Sequence, residues 1–122
     1  MRNTDSDYKD PTKKGDRTDN RNLIDEWENK MRSKNLKHKF IWNMTEFMNL
    51  EPYKYDHVLG LLNHDHMEYE QDREDSNEEP SLTQMVNKAI KILRTNPRGF
   101  YLLVEAGKID HGKMRFFFDF FF

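Results

Sequence analysis

The sequence predicts an α/β fold, on three observations. Residues 100–104, FYLLV, form an unbroken apolar run of strand length between Asn96-Pro97-Arg98-Gly99 and Ala106-Gly107, the pattern of a strand buried on both faces. Ahead of it, Ser81 and Gln84 are spaced as a capping box, and Leu82, Met85, Val86, Ala89, Ile90 and Leu93 make one apolar stripe that Pro97 ends. Helix, tight turn and strand together make an αβ unit that delivers Glu105 at the strand's carboxyl end, with Asp110 and His111 following on the next bend. Open α/β sheets keep their sites at such strand exits.

The other elements follow in chain order. Residues 1–21 hold only Met1 and Tyr8 as sizeable apolar groups and read as loop or disorder. From Asn22, a candidate N-cap, Leu23, Ile24, Trp27 and Met31 recur at helical spacing, predicting an amphipathic helix to about Lys34. A basic turn leads to a short strand at Phe40-Ile41-Trp42. One helical turn over residues 45–50 is stopped by Pro52. Residues 57–62, HVLGLL, predict a second short buried strand, which empties into the polar loop Asn63-His64-Asp65-His66. Residues 71–79, QDREDSNEE, have the composition of a solvated acidic linker, although carboxylates beside a turn also suit calcium.

Composition limits what these elements can do. With 122 residues, 35% hydrophobic content and net charge -2, the chain supports one small domain with a thin core. Charged residues make up 34% and are mixed in sign, so no basic face for nucleic acid stands out. The absence of cysteine leaves His and carboxylates as metal ligands. The opening MRNTDSDYKD lacks the apolar core of an export signal, and no run approaches the roughly 18 apolar residues of a membrane span.

Two clusters carry candidate chemistry. His64, Asp65 and His66 could ligate zinc, but alternate loop residues point apart and no third ligand of fixed spacing accompanies them, so an exposed loop is the stronger reading. Glu105, Asp110 and His111 suit magnesium through carboxylate and zinc through carboxylate with imidazole. A strand ending in Glu, followed by a surface Asp-His pair, is also common in proteins that hold no metal. No Gly-rich phosphate loop, Gly-x-Ser-x-Gly elbow or Cys nucleophile is present. Asn43-Met44-Thr45 is a glycosylation sequon.

Residues 96–112, NPRGFYLLVEAGKIDHG, resemble a block of the animal alkaline phosphatase family, in which the apolar strand runs into Val-Glu-Gly-Gly-Arg-Ile-Asp-His-Gly. Further blocks follow family order: Asn22-Leu23-Ile24-x-Glu26-Trp27, Trp42-Asn43-x-Thr45-Glu46, Gly60-Leu61, Met67-x-Tyr69-Glu70 and Pro80-Ser81-Leu82. The resemblance covers roughly residues 15–112. It implies a fragment of the family's large mixed-sheet fold, incomplete on its own, with residues 22–112 as a partial domain and residues 113–122 as a Phe-rich tail outside the family pattern.

Residue by residue, the resemblance implies magnesium at Glu105, zinc at Asp110 and a position close to phosphate for His111. It implies calcium near Leu62, through its carbonyl, with Asn63 and Glu79; Asn63 stands where vertebrate forms usually have glutamate. Asn43 matches a glycosylation position. The implied activity is phosphate monoester hydrolysis through a phosphoserine, with two zinc ions and one magnesium, in a homodimer exported from the cell and anchored at its surface by lipid. Met114 stands where the family has a zinc-ligating histidine, and the serine nucleophile, phosphate-clamping arginine and remaining zinc ligands have no counterpart here. Alone, this stretch is therefore expected to be inert, and the tail, six phenylalanines in the last seven residues, is expected to come from a truncated or frame-shifted reading and to promote aggregation. Two other classes stay open: a non-catalytic calcium-binding module around Asn63 and Glu79, and another member of the wider two-metal phosphatase and sulfatase group, whose modified Cys or Ser motif is absent.

Overall fold

The computed structural model describes residues 18–19, 21–63, 65–76, 78–109 and 111. The amino-terminal stretch read as loop lies almost wholly outside the described residues, as do His64, Asp110 and the Phe-rich tail. The elements run α1 (Leu23–Ser33), β1 (His38–Ile41), α2 (Met44–Asn49), β2 (His57–Gly60), α3 (Glu70–Ser76) and α4 (Leu82–Leu93). Helices around a parallel strand pair agree with the α/β reading.

Helix α1 starts as its sequence requires. The Asn22 side-chain oxygen accepts from the amides of Ile24 and Asp25 at 3.1 and 3.2 Å, satisfying two donors that the first turn leaves unpaired. It ends in a Schellman arrangement: Asn35 takes φ +52°, while the Leu36 and Asn35 amides return to the carbonyls of Met31 and Arg32 at 3.0 and 2.9 Å. Ile24 and Met31 are buried, and Trp27 meets the His38 ring edge-on at 5.6 Å, setting α1 against β1.

Strands β1 and β2 pair in parallel, His38 opposite His57 through Ile41 opposite Gly60. Their entrance is fastened at Lys37, whose carbonyl accepts from the Asp56 and His57 amides at 2.8 and 3.1 Å. Helix α2 fills the crossover, with Phe47 and Leu50 buried together with Ile41 and Leu62; Met85 and Ile92 of α4 pack against this cluster. Ser81 and Gln84 form the expected capping box. Removing such a cap costs helices about 1 kcal/mol.

Three expectations need correction. Residues 100–104 form no strand: Tyr101 is 86% and Leu103 78% exposed. A strand buried on both faces needs neighbours that pair its backbone and cover its sides, and among the described residues only β1 and β2 are paired. The second strand stops at Gly60 rather than running to Leu62: Leu61 still donates to the Ile41 carbonyl at 3.0 Å, as the parallel ladder requires, and Leu62 beyond it is buried in the core. The acidic run is not simply a solvated linker, since α3 occupies much of it and Glu79 at its end is fully buried.

Candidate metal and phosphate site

The turn before the expected strand forms as its residues dictate. Gly99, at φ +85°, donates to the Asn96 carbonyl at 3.1 Å, and Arg98 donates to the Asn96 side chain at 3.0 Å. From this turn the chain runs past α4 to Glu105 and on to a bend at Gly107 and Lys108. That bend closes one side of a cavity of about 720 Å³, whose other walls are residues 66–70 with Arg73, and residues 80–82 with Met85.

Glu105 and His111 both line this cavity. Asp110, between them in sequence, lies outside the described residues. The His111 ring meets His66 edge-on, centroids 5.1 Å apart, so two imidazoles distant in sequence meet in the lining of one cavity. Nearby, the Lys108 ammonium sits 4.1 Å from the centre of the Tyr69 ring, a cation–π contact that ties the bend to the segment before α3.

Arg73 is a feature that sequence reasoning missed. Its side chain is only 11% exposed, and it grips Glu70 through two bonds, Nε to Oε2 at 3.0 Å and Nη2 to Oε1 at 2.6 Å. The bidentate guanidinium holds the Glu70 carboxyl below the ordinary carboxylate range. The signal available was the Glu-x-x-Arg spacing at the start of the acidic run, which places the pair on one helical face.

The three residues linked by resemblance to calcium also come together. Leu62 is buried in the core, Asn63 follows it, and the fully buried Glu79 accepts hydrogen bonds from the Asn63 side-chain nitrogen and, at 3.0 Å, from the Glu68 amide. Asn43 caps α2, its side-chain oxygen accepting from the Glu46 amide at 2.8 Å. Among the described residues no three His, Cys, Asp or Glu side chains gather as a metal site, and no helix is long and apolar enough to cross a membrane.

Three exposed carboxylates, Glu68, Glu70 and Glu105, and two imidazoles line the cavity together with Arg73 and Lys108, and carboxylate oxygen and imidazole nitrogen are donors of the kind a divalent ion takes. Comparison with known proteins is consistent with that chemistry. The family model described as alkaline phosphatase matches residues 1–115, reaching further at both ends than the blocks recognised in the sequence. The chain is 46% identical over 110 residues to the tissue-nonspecific alkaline phosphatase of Felis catus, covering 89% of this chain and 21% of the relative. It is 46% identical over 110 residues to the alkaline phosphatase of Gadus morhua, with 89% and 22% covered. With the membrane-bound alkaline phosphatase of Bombyx mori it shares 42% identity over 98 residues, 80% of this chain and 18% of the relative. The chain thus spans about a fifth of the length of the curated relatives it matches. On the breadth of this match, the chain belongs to the alkaline phosphatase family.

Proposed function

We propose that this chain is the part of a phosphate monoester hydrolase that lends side chains to a divalent-metal centre, Glu105 toward magnesium, Asp110 toward zinc and His111 beside the phosphate. The observation that supports the reading is that Glu105 and His111 line one cavity within a stretch matched by the family model. The residue types fit: an exposed carboxylate is the hard oxygen donor magnesium takes, and carboxylate oxygen is among zinc's ordinary ligands. Divalent ions bound there supply neutralisation of charge on the transferring phosphoryl group. The chain's own residues position that chemistry. His111 donates to a phosphate oxygen, the His66 ring fixes the plane of its imidazole, and the Lys108–Tyr69 contact holds the bend that carries them.

This span supplies only part of each ion's ligand set, so alone it turns over no substrate. The whole protein acts at the cell surface or outside the cell, as a homodimer, on phosphate monoesters. A glycan at Asn43 attaches through the side-chain nitrogen and leaves the oxygen free to keep capping α2.

Two experiments test the reading. With Zn²⁺ and Mg²⁺ the purified chain should hydrolyse p-nitrophenyl phosphate no faster than buffer, and turnover removed by EDTA would contradict its inertness alone. Residues 22–112, exchanged for the matching segment of the Felis catus relative, should give an active hybrid that loses most of its turnover on Glu105→Gln. Undiminished turnover in that variant would sink the assignment of Glu105.

A further inference from the structure

We propose that the Leu62–Asn63–Glu79 corner, where the resemblance implies calcium, is closed in this chain by the Asn63 amide itself, so that its order is independent of calcium. Glu79 sets the physical problem. Its side chain is fully buried, and a buried carboxylate needs either a cation or several donors to offset the water it has lost. Here the Asn63 nitrogen donates to Oε1 and the Glu68 amide donates to Oε2 at 3.0 Å.

The direction of the Asn63 amide follows from its neighbours. Its nitrogen also donates to the His66 carbonyl at 3.2 Å, and its oxygen accepts from the Asp65 amide at 3.3 Å. Acceptors therefore face the nitrogen and a donor faces the oxygen. Turning the amide over would break these bonds and set the oxygen against the Glu79 carboxylate and the His66 carbonyl.

Calcium takes six to eight oxygen ligands. The Asn63 side chain instead presents N–H to the buried carboxylate, so these residues as they stand do not fit the ion. The exchange has a simple electrostatic reason. A glutamate at this position would bring a second negative charge to a buried carboxylate, and the pair would repel unless a cation lay between them. Asparagine is close in size to that carboxylate head but neutral, and it supplies the polarised hydrogens directly. A hydrogen-bonded closure replaces an ionic one, and the same loop geometry no longer draws on the surrounding calcium concentration.

The inference takes from family membership only the position where calcium would sit, and its readout is calcium binding and stability rather than phosphatase activity. The full chain, stripped with EGTA, is titrated with CaCl₂ by calorimetry, and its thermal unfolding is followed in EGTA and in calcium. The wild type is expected to show no saturable heat up to about 1 mM calcium and the same Tm in both conditions, since only an ion that binds the folded form raises it. Asn63→Glu is expected to melt lower than wild type in EGTA and to recover with calcium by several degrees. Micromolar calcium binding by the wild type, or a calcium-dependent rise in its Tm, would overturn the proposal. So would a folded Asn63→Glu chain that ignores calcium. The wild-type titration decides the matter even where Asn63→Glu does not fold.

Discussion

Lys88 of α4 places its ammonium 3.2 Å from the Leu50 carbonyl and 3.3 Å from that of Met48, and it lies 5.1 Å from the centre of the Phe47 ring. Helix α2 has no basic residue in its own last turn, so the cation that its exposed carbonyls and dipole call for comes from another helix some forty residues on. One side chain thereby joins α4 to the β1–α2–β2 core.

Lys88→Met should therefore destabilise the fold more than an ordinary surface change. It keeps the apolar stem but leaves the Leu50 and Met48 carbonyls without their donor, at a cost of about 1–2 kcal/mol. Denaturant unfolding checks this; an unchanged midpoint with an unchanged slope would show the contact to be idle.

The Glu70–Arg73 pair gives stability an acid limb. Arg73 lowers the folded-state pKa of Glu70, so its contribution is fully present above the ordinary glutamate pKa and is lost as pH falls through the lower folded value. Glu70→Gln should be less stable than wild type at neutral pH, and the gap should narrow below about pH 4 as the wild-type carboxylate takes up its proton. A gap independent of pH between neutrality and acid would argue against the pair.

Ser81→Ala removes half of a reciprocal cap whose bonds measure 2.8 and 3.0 Å. A loss of about 1 kcal/mol is expected, with earlier fraying of α4 visible as faster amide exchange in its first turn. Exchange rates matching wild type there would mean that tertiary packing alone holds the helix start.

Tyr101 and Leu103 stand 86% and 78% exposed in a stretch with no strand partner, next to half-exposed Phe100 and Val104. Such an uncovered apolar run favours association between copies. The double variant Tyr101→Lys, Leu103→Lys should form smaller species than the wild type at equal concentration in light scattering. Equal association of both would place the sticky surface elsewhere.

The pattern of the sequence alone determined the local features. Asn22 and Ser81 begin helices because their side chains satisfy first-turn amides, Asn96-Pro97-Arg98-Gly99 turns because Gly99 takes positive φ, and the short strands and helical turn read between residues 40 and 62 are present as β1, α2 and β2. It also determined kinship, through ordered blocks that continue to Glu105, Asp110 and His111. Tertiary structure alone decided that Lys88 meets the end of α2 and that His66 meets His111, and it joined Asn63 and Glu79, which the resemblance implied only as neighbours of one ion, by a direct hydrogen bond. It also decided that residues 100–104, apolar as they are, form no strand here. Caps and turns are set by neighbours in the chain, whereas a strand, a buried carboxylate or a shared cavity lining exists only when a remote segment brings the matching donor, acceptor or face.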